Sequence, residues 1–402
     1  MRFCKLLANY FHGIRFPAII VSLVLSVTVF VGIYTAARIQ YIASDYGVVN
    51  SCANENMYYF TRLYTMEELS ADIDILHNEV VQVLEECENS TVIKHIYTIQ
   101  TANLFAYGDE YTSIVLMDPE LLGAFPGLKH IGYDFSVDPE GCILGSKIFN
   151  DLADSETITL RVVNSEGATV SFRVNGHVKS PYKHMAFSDS STSPTAQHLF
   201  HDSPCIITLA TDSLMARLQD VAVLKYDPNY IIEFSKTATE EEIKEVLSTL
   251  EQKGKVCSID ELIEATEREL SDTIKKTLPS PLFLLIAAIV AYLSTDLLIL
   301  RKKSRELAYY YLCGLNRSKC AVITLAANCI ISLPALILNS IFVILAPEYD
   351  WLRSSALSGL SVTTLDFVMI VAYYLLTVLV SLLVTYSSMA RHTPLTYLRG
   401  VE

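Results

Sequence analysis

A short basic segment, residues 301–320, carries the residue types and spacing best suited to chemistry. Six of its first nineteen residues are Lys or Arg, and Glu306 is the single acidic residue among the nineteen. A helix here would place four residues on one face through their i, i+3 and i+4 spacing: Glu306, Tyr309, Tyr310 and Cys313. Such a face could receive a soluble partner, or it could anchor at lipid headgroups through its tyrosines and basic residues.

Other combinations of reactive residue types are weaker. His198, His201 and Cys205 are residue types found in zinc sites, but their spacing is short and no second ligand pair lies nearby in the sequence. Adjacent acidic pairs are more typical of solvated faces than of glycosidase carboxylates. The sequence contains no Gly-x4-Gly-Lys-Ser/Thr phosphate loop. We therefore expect a chain that is not an enzyme and holds no cofactor or metal.

Four long apolar segments flank the basic segment along the chain and must position it. A helix rises about 1.5 Å per residue, so about 20 apolar residues cross a hydrocarbon core of about 30 Å. The segments that meet this length are residues 17–37, 281–300, 321–346 and 367–387. The sequence therefore predicts a membrane protein with an α-helical bundle of four spans.

Asp296 lies near the end of the second predicted span. Ionisable residues inside spans are candidates for functions such as a proton relay. Its position about one turn before Arg301 favours a different interpretation, in which Asp296 lies at the level of the headgroups and orients the helix end.

The distribution of basic residues orients the predicted spans, because Lys and Arg are enriched in short cytoplasmic segments. The tail 1–16 has three basic residues and no acidic ones, and the tail 388–402 has two Arg and a His. Both termini are therefore predicted to be cytoplasmic, together with residues 301–320. The mildly acidic loop 347–366 is predicted to lie outside.

Residues 38–280 form a large acidic segment between spans 1 and 2. They hold 18 Lys and Arg against 38 Asp and Glu, a balance of −20. This charge does not suit nucleic acid as a partner. The length is sufficient for a core of its own. The sequence thus predicts a large α+β extracytoplasmic domain inserted between the first two spans.

Local patterns predict the organisation of this domain. The prediction divides it into two αβ pieces that flank a β-rich lobe: 50–140, 205–278 and 141–204. Two β-branched segments, 157–163 and 168–174, surround an Asn/Gly turn and predict a hairpin. Residues 185–204 are poor in large apolar side chains and predict a loop. Helices are predicted from the apolar spacing at 69–84 and 239–250, and a strand at Tyr230–Phe234. A further helix is predicted at 260–277, which contains no Gly or Pro.

The N-terminal apolar segment could also be read as a cleaved secretory signal, since Thr35, Ala36 and Ala37 resemble a small-residue cleavage site. A signal normally has an apolar stretch of about 7 to 15 residues, whereas this one runs from 17 to 37. We therefore favour a retained span.

Five of the nine cysteines fall in the predicted outer domain: Cys52, Cys87, Cys142, Cys205 and Cys257. The number is odd and the spacings are wide, so no disulfide framework is indicated. Small buried hydrophobic side chains are the favoured interpretation.

Three stretches of the sequence agree with one known family. Residues 294–318 combine a polar residue near the end of span 2, an Arg-Glu-aliphatic step at Arg305 and Glu306, and a turn that leads from Gly314 into span 3. Two further stretches, 141–149 and the Pro-x-x-x-Leu-Arg tail in 391–399, also agree. With its order of one span, a large outer domain and three spans, the chain resembles the MacB-like and FtsX-like permease subunits of ABC transporters, the type VII or mechanotransmission class.

The resemblance implies that residues 301–320 form a cytoplasmic coupling helix that docks into a separate ATPase subunit, which binds the ATP. The site residues expected from the resemblance and from the helical spacing are Arg305, Glu306, Tyr309, Tyr310, Cys313, Gly314 and Arg317. The resemblance also implies a dimer with a second copy or a paralogue, in the bilayer of a bacterial cell membrane.

Three functions follow as hypotheses. The first is a permease subunit that couples ATP hydrolysis in a partner to motion of the outer domain, and exports or extracts a peptide, lipid or antibiotic. The second is an FtsX-like regulator that transmits the same motion to an extracellular enzyme, such as a cell-wall hydrolase, without transport. The third is a membrane receptor without ATPase coupling, which the basic segment disfavours.

Overall fold

The computed structural model describes residues 15–52, 54, 56–63, 92–145, 149, 151–163, 168–179, 183–187, 190–219, 224–227, 229–303, 306, 308–310, 314, 317–345 and 364–391. The chain divides into two compact units. A helical unit comprises Met1–Gln40 and Thr273–Glu402, and an α/β unit comprises Tyr41–Asp272.

Helices and strands alternate irregularly along the described chain. Its α-helices are α1 (Arg15–Val49), α2 (Leu121–Ala124), α3 (Asp212–Gln219), α4 (Glu240–Glu251), α5 (Ile259–Thr277), α6 (Pro279–Lys302), α7 (Arg317–Leu345) and α8 (Thr364–Arg391). Its strands are β1 (Met57–Arg62), β2 (Ile93–Tyr97), β3 (Ile99–Tyr107), β4 (Glu110–Met117), β5 (Cys142–Leu144), β6 (Thr157–Val162), β7 (Thr169–His177), β8 (His184–Met185), β9 (Phe200–His201), β10 (Cys205–Leu209), β11 (Leu224–Tyr226), β12 (Tyr230–Phe234) and β13 (Gly254–Ser258).

The described part of the chain contains four helical segments long and apolar enough to cross a membrane, as the sequence predicts. They are Ala18–Val49, Ile259–Ile299, Val322–Leu345 and Phe367–Val384. In the helical unit, α8 packs against α7 and α6. The apolar seam includes Leu25 of α1, Tyr292 of α6 and Ala327 of α7. These contacts leave many large apolar side chains facing outward, which is typical of helices surrounded by lipid.

Asn339 joins two of the spanning helices through a polar contact. Its Nδ2 atom in α7 lies 3.3 Å from both the carbonyl oxygen and the Oγ atom of Ser26 in α1, and it also donates to the Ala335 carbonyl at 2.8 Å. A buried amide in an apolar environment requires such partners, because water cannot satisfy it. Asn339 thus fixes the register of α7 against α1.

A seven-stranded sheet in the α/β unit closes on itself. Its strand order is β11-β3-β4-β10-β5-β7-β6, and β6 pairs again with β3. The closure is possible because β3 changes partner along its length. Its first half pairs with β11, a bulge lies between Ala102 and Phe105, and Phe105 and Ala106 then pair with β6. Apolar side chains that include Phe105, Leu160, Phe172 and Ile206 form its core.

A second, four-stranded sheet has the order β13-β1-β12-β2. Helix α4 packs against β13. Apolar residues such as Phe60 and Ile232 from the sheet and Leu250 from α4 form a separate core. The N-terminus of α4 is fixed by a capping box, in which Thr239 accepts from the Glu242 amide and the Glu242 carboxylate accepts from the Thr239 amide.

Several local predictions agree with the structure. The hairpin is formed by β6 and β7, the predicted strand is β12, and the helices predicted at 239–250 and 260–277 are α4 and α5. The closed sheet, however, takes β3, β4 and β10 as well as strands from 141–204, so this lobe is part of a larger sheet. The predicted helix at 69–84 lies outside the described residues.

The backbone conformation at position 132 requires glycine. Replacing Gly132 therefore tests the packing beside the closed sheet. Its φ is +110°, and an added Cβ would overlap the carbonyl oxygen of His177 at the end of β7. We expect Gly132→Ala to lower the free energy of unfolding by about 2 kcal/mol. Chemical denaturation measures the change. Gly176→Ala is the control, because its added Cβ has open space; equal effects of the two substitutions would contradict this account.

Candidate functional site

The basic segment lies between α6 and α7. Helix α6 ends at Lys302, and the amide of Lys303 still donates to the Ile299 carbonyl at 2.9 Å. Glu306 and residues 308–310 are again helical, and Gly314 adopts a turn with φ +89° before α7 begins. This left-handed φ is readily adopted by glycine, which is the residue type that the turn requires at this position.

An ion pair organises the start of this segment. The Lys303 ammonium lies 2.7 Å from Oε1 of Glu306, and the Lys303 side chain is 6% exposed whereas that of Glu306 is 44% exposed. The pair has i, i+3 spacing, which brings side chains together on one helix face. Glu306 is therefore occupied by a contact within its own chain, although part of its carboxylate still reaches solvent.

Tyr309 is the most exposed side chain described on the predicted docking face. It is 60% exposed, while the neighbouring Ala308 is fully buried. Tyr310 is half-buried. An exposed aromatic side chain on an otherwise basic segment gives a partner a large apolar contact with a polar tip, a property common among residues that dominate interfaces.

The remaining predicted site residues are only partly described. Arg305 and Cys313 lie outside the described residues. Arg317 begins α7 and Asp296 lies within α6, but the structure describes only their backbone. The predicted face is therefore represented by Glu306, Tyr309 and Tyr310. Lys303 belongs with them, and its i, i+3 spacing to Glu306 is the sequence signal that could have identified it.

A second polar site lies in the α/β unit, around residues 183–187. These five residues are all buried. Their backbone is held by side chains from distant positions: the Met185 amide donates to the Tyr133 hydroxyl at 3.0 Å, the Phe187 amide donates to Asp227 at 2.9 Å, and Asn229 donates to the Phe187 carbonyl at 2.6 Å. The sequence predicts only the beginning of a loop here. Nothing local in the sequence indicates these contacts.

Burial shifts the pKa values of two groups at this site, His184 within the segment and Asp227 beside it. It raises the pKa of Asp227 from its ordinary value of 3.8 to about 6, although hydrogen bonds from Phe187 and Thr101 oppose the shift. It lowers the pKa of His184 from 6.5 to about 3, and the nearby His201 acts in the same direction. His184 is therefore neutral near pH 7, whereas Asp227 is ionised in a buried position.

The sequence candidates for a zinc site do not converge. His198 is part of a capping arrangement with Thr195, whose amide lies 3.1 Å from the His198 Nδ1 atom. Cys205 is buried in β10, and burial raises the pKa of its thiol far above the usual range. In the described part of the chain, no three His, Cys, Asp or Glu side chains lie together in a way that could hold a metal ion.

Comparisons with known proteins leave the family open. No protein-family model matches the chain, and no curated protein matches it. A solved crystal structure of a heavy metal efflux pump is similar at 10% sequence identity, over 86% of this chain and 35% of that chain, with a TM-score of 0.16. This chain therefore spans only about a third of the length of the pump's chain. A TM-score this low carries no argument about fold or function.

Proposed function

We propose that this chain is the membrane subunit of an ABC transporter of the MacB-like and FtsX-like class. In this proposal a separate ATPase subunit binds ATP, and its closure moves the segment around Glu306 to Gly314. The α/β unit, placed outside the cytoplasm, responds to that motion and exports or extracts a peptide, lipid or antibiotic. The chain works as a dimer, with both termini cytoplasmic in a bacterial cell membrane.

The observation that carries the proposal is the exposed Tyr309 on a basic helical segment between two candidate spans. Arg301 and Lys302 are exposed at the end of α6, which supports a cytoplasmic position for the segment. Ala308 and Lys303 are buried whereas Tyr309 is exposed, so Tyr309 is the side chain that the segment presents to a partner. A partner that binds this side could displace the segment as a rigid element.

The order of elements supports the same proposal. Along the chain, one candidate span comes before the α/β unit, and three follow it or adjoin its end. The last nine residues of α1, 41–49, belong to the α/β unit. A helix is stiff along its axis, so α1 provides a physical route from a span into this unit. The FtsX-like regulator of an extracellular enzyme or binding protein uses the same route and remains the second candidate, because this order of elements fits both.

Loss of Tyr309 is expected to weaken ATPase binding. We expect Tyr309→Ala to reduce recovery of an ATPase subunit with the detergent-solubilised full chain by about tenfold, since a central aromatic contact at an interface contributes at least about 1.4 kcal/mol. The measurement is quantitative mass spectrometry of the purified complex from native membranes. Glu306→Lys is a less selective variant, because it also places a cation next to Lys303.

Tyr111→Ala is the matched control for this experiment. Tyr111 is 71% exposed but lies on β4 of the α/β unit, so its removal deletes the same side chain at a different surface. ATPase recovery that falls only for Tyr309→Ala supports docking at this segment. Intact recovery for both variants would contradict docking through Tyr309, and absence of an ATPase from the unsubstituted protein would overturn the transporter proposal.

A further inference from the structure

A buried polar segment connects two helices of the α/β unit. We call residues 183–187 and 190–202 the strap. One of its ends contacts α1 near Asp45, and its middle contacts α5 near Thr266. These are the helices by which the chain enters and leaves the α/β unit. Any motion of one helix relative to the other within the unit must therefore carry the strap along or break its contacts.

The contact with α1 centres on Lys183. Its ammonium group lies 2.5 Å from Oδ2 of Asp45 and 3.2 Å from the carbonyl oxygen of Tyr41, and it lies 3.1 Å from the centre of the Tyr41 ring. The Lys183 and Asp45 side chains are 4% and 2% exposed. Asp202, at the other end of the strap, lies close enough to the Tyr41 side chain for its charge to act on it. Both ends of the strap thus lie beside the same part of α1.

The contact with α5 is made by two consecutive strap residues. The Ala196 amide donates to the Thr266 hydroxyl at 2.8 Å, and that hydroxyl donates onward to the Leu262 carbonyl at 2.6 Å. Gln197 Nε2 donates to Oε1 of Glu269 at 3.0 Å. Thr266 is fully buried, so the hydrogen bond from the strap satisfies a group that water cannot reach.

Lys183 also links the helices by charge. Three carboxylates act on this one ammonium group: Asp45 of α1, Asp202 of the strap and Glu269 of α5. Asp45 and Glu269 in turn act on each other as like charges. The strap cation therefore offsets a repulsion between the two helices. Without it, the like charges of Asp45 on α1 and Glu269 on α5 would repel each other with no cation between them to offset the repulsion.

We propose that the strap is a latch, in which Lys183 holds the end of α1 and the first half of α5 in one arrangement, and that its release frees both helices while the closed sheet stays folded. Buried ion pairs are weak sources of stability, but they can select one arrangement among several. This latch goes beyond the permease function and does not depend on it, because it concerns only contacts inside the α/β unit.

Hydrogen exchange of the full chain in detergent, measured by mass spectrometry without any ATPase, tests the latch. We expect Lys183→Met to accelerate exchange about tenfold more in three segments together, 41–49, 190–202 and 262–269, than in β5 and β10. Arg268→Met is the control, because Arg268 lies on α5 but pairs with Glu264 in an exposed i, i+4 contact. It should leave all of these rates unchanged.

A second variant keeps the test decisive if Lys183→Met does not fold. Thr266→Val preserves the shape of the side chain and leaves Lys183 in place. It removes the hydrogen bond from Ala196, together with the local one from the Thr266 hydroxyl to the Leu262 carbonyl of the same helix. The latch predicts faster exchange in 41–49 as well as in the strap. Faster exchange confined to 190–202, or a uniform increase that includes β5 and β10, would overturn the coupling between the helices.

Discussion

Replacing Lys183 with Met is expected to lower the free energy of unfolding of the protein by about 3–5 kcal/mol, the range observed when one partner of a buried ion pair is removed. The substitution leaves Asp45 as a buried carboxylate whose remaining described side-chain partner is Ser44, at 3.2 Å. Burial already lowers the pKa of Lys183, and Asp45 opposes this shift. The cost arises because the remaining charge keeps its desolvation penalty and loses its counterion.

Replacing both partners should recover most of the loss. We expect Asp45→Leu/Lys183→Met to lie within about 1.5 kcal/mol of the unsubstituted protein, because two apolar side chains need no counterion and can pack against the Tyr41 ring. Pulse proteolysis across a denaturant series measures all variants in detergent. Asp45→Leu alone, which completes the cycle, should be as damaging as Lys183→Met.

Two outcomes of this cycle are informative. If the double replacement is as unstable as the sum of the singles, the two residues contribute independently and the ion pair is not the source of the effect. If Lys183→Met alone is harmless, the ammonium group is not buried in the way described. Arg268→Met, which removes an exposed cation from α5, should leave the transition unchanged.

The parts of the fold that the sequence predicted are those determined by local composition. The spans follow from uninterrupted apolar residues, and α1, α6, α7 and α8 extend beyond the predicted bounds because polar residues at their ends remain helical. The hairpin of β6 and β7 follows from alternating β-branched residues, which the structure shows as alternating buried and exposed positions. The closure of the sheet required pairing between β3 and β6, far apart in the sequence.

The strap shows why the rest could not be predicted. Residues 185–204 have few large apolar side chains, and a low apolar content normally indicates an exposed loop. The structure nevertheless buries Phe187, Ala196 and Leu199. The backbone of the segment is satisfied by polar side chains from other elements, as between Asp227 and Phe187. Contacts between residues about 40 to 140 positions apart leave no periodic signal in the sequence.

In the candidate docking segment, the sequence predicted the spacing of the residues but not their environments. The spacing of Glu306 and Tyr309 was visible in the sequence, and both residues are helical in the structure. Their environments were not visible, because the sequence could not indicate that Lys303 is buried and paired with Glu306 while Tyr309 is exposed. Because of this difference in environment, mutation of Tyr309 tests docking more directly than mutation of Glu306. The spacing of the two residues alone would not have distinguished them.

Asp227 is expected to make the stability of the α/β unit depend on pH. Burial raises its pKa in the folded protein to about 6, compared with 3.8 for an ordinary Asp. The folded chain therefore binds the proton more tightly than the unfolded chain between these values. The resulting contribution to stability is fully present below pH 3.8, falls as the pH rises, and is lost above pH 6. A shift of this size corresponds to about 3 kcal/mol.

Replacing Asp227 with Asn isolates this contribution. The amide oxygen of Asn can still accept from the Phe187 amide, and its Nδ2 can donate to the Thr101 hydroxyl, which now donates to Asp227 at 3.3 Å. We expect the unsubstituted protein to lose about 3 kcal/mol more stability than Asp227→Asn between pH 3.5 and about pH 7. Denaturation of both proteins at each pH gives the difference, in which the titration of all other groups cancels.

The sign of the stability difference between the unsubstituted protein and Asp227→Asn shows whether the pKa of Asp227 is raised or lowered in the folded protein. A protein that gains stability relative to Asp227→Asn as the pH rises would mean that hydrogen bonds and the attraction to His201 outweigh burial, so that the pKa is lowered instead. Parallel curves would mean that Asp227 is solvated. With the expected sign, the ionised carboxylate is an energetic cost at neutral pH that the fold tolerates, because it holds the Phe187 amide and with it the end of the 183–187 segment.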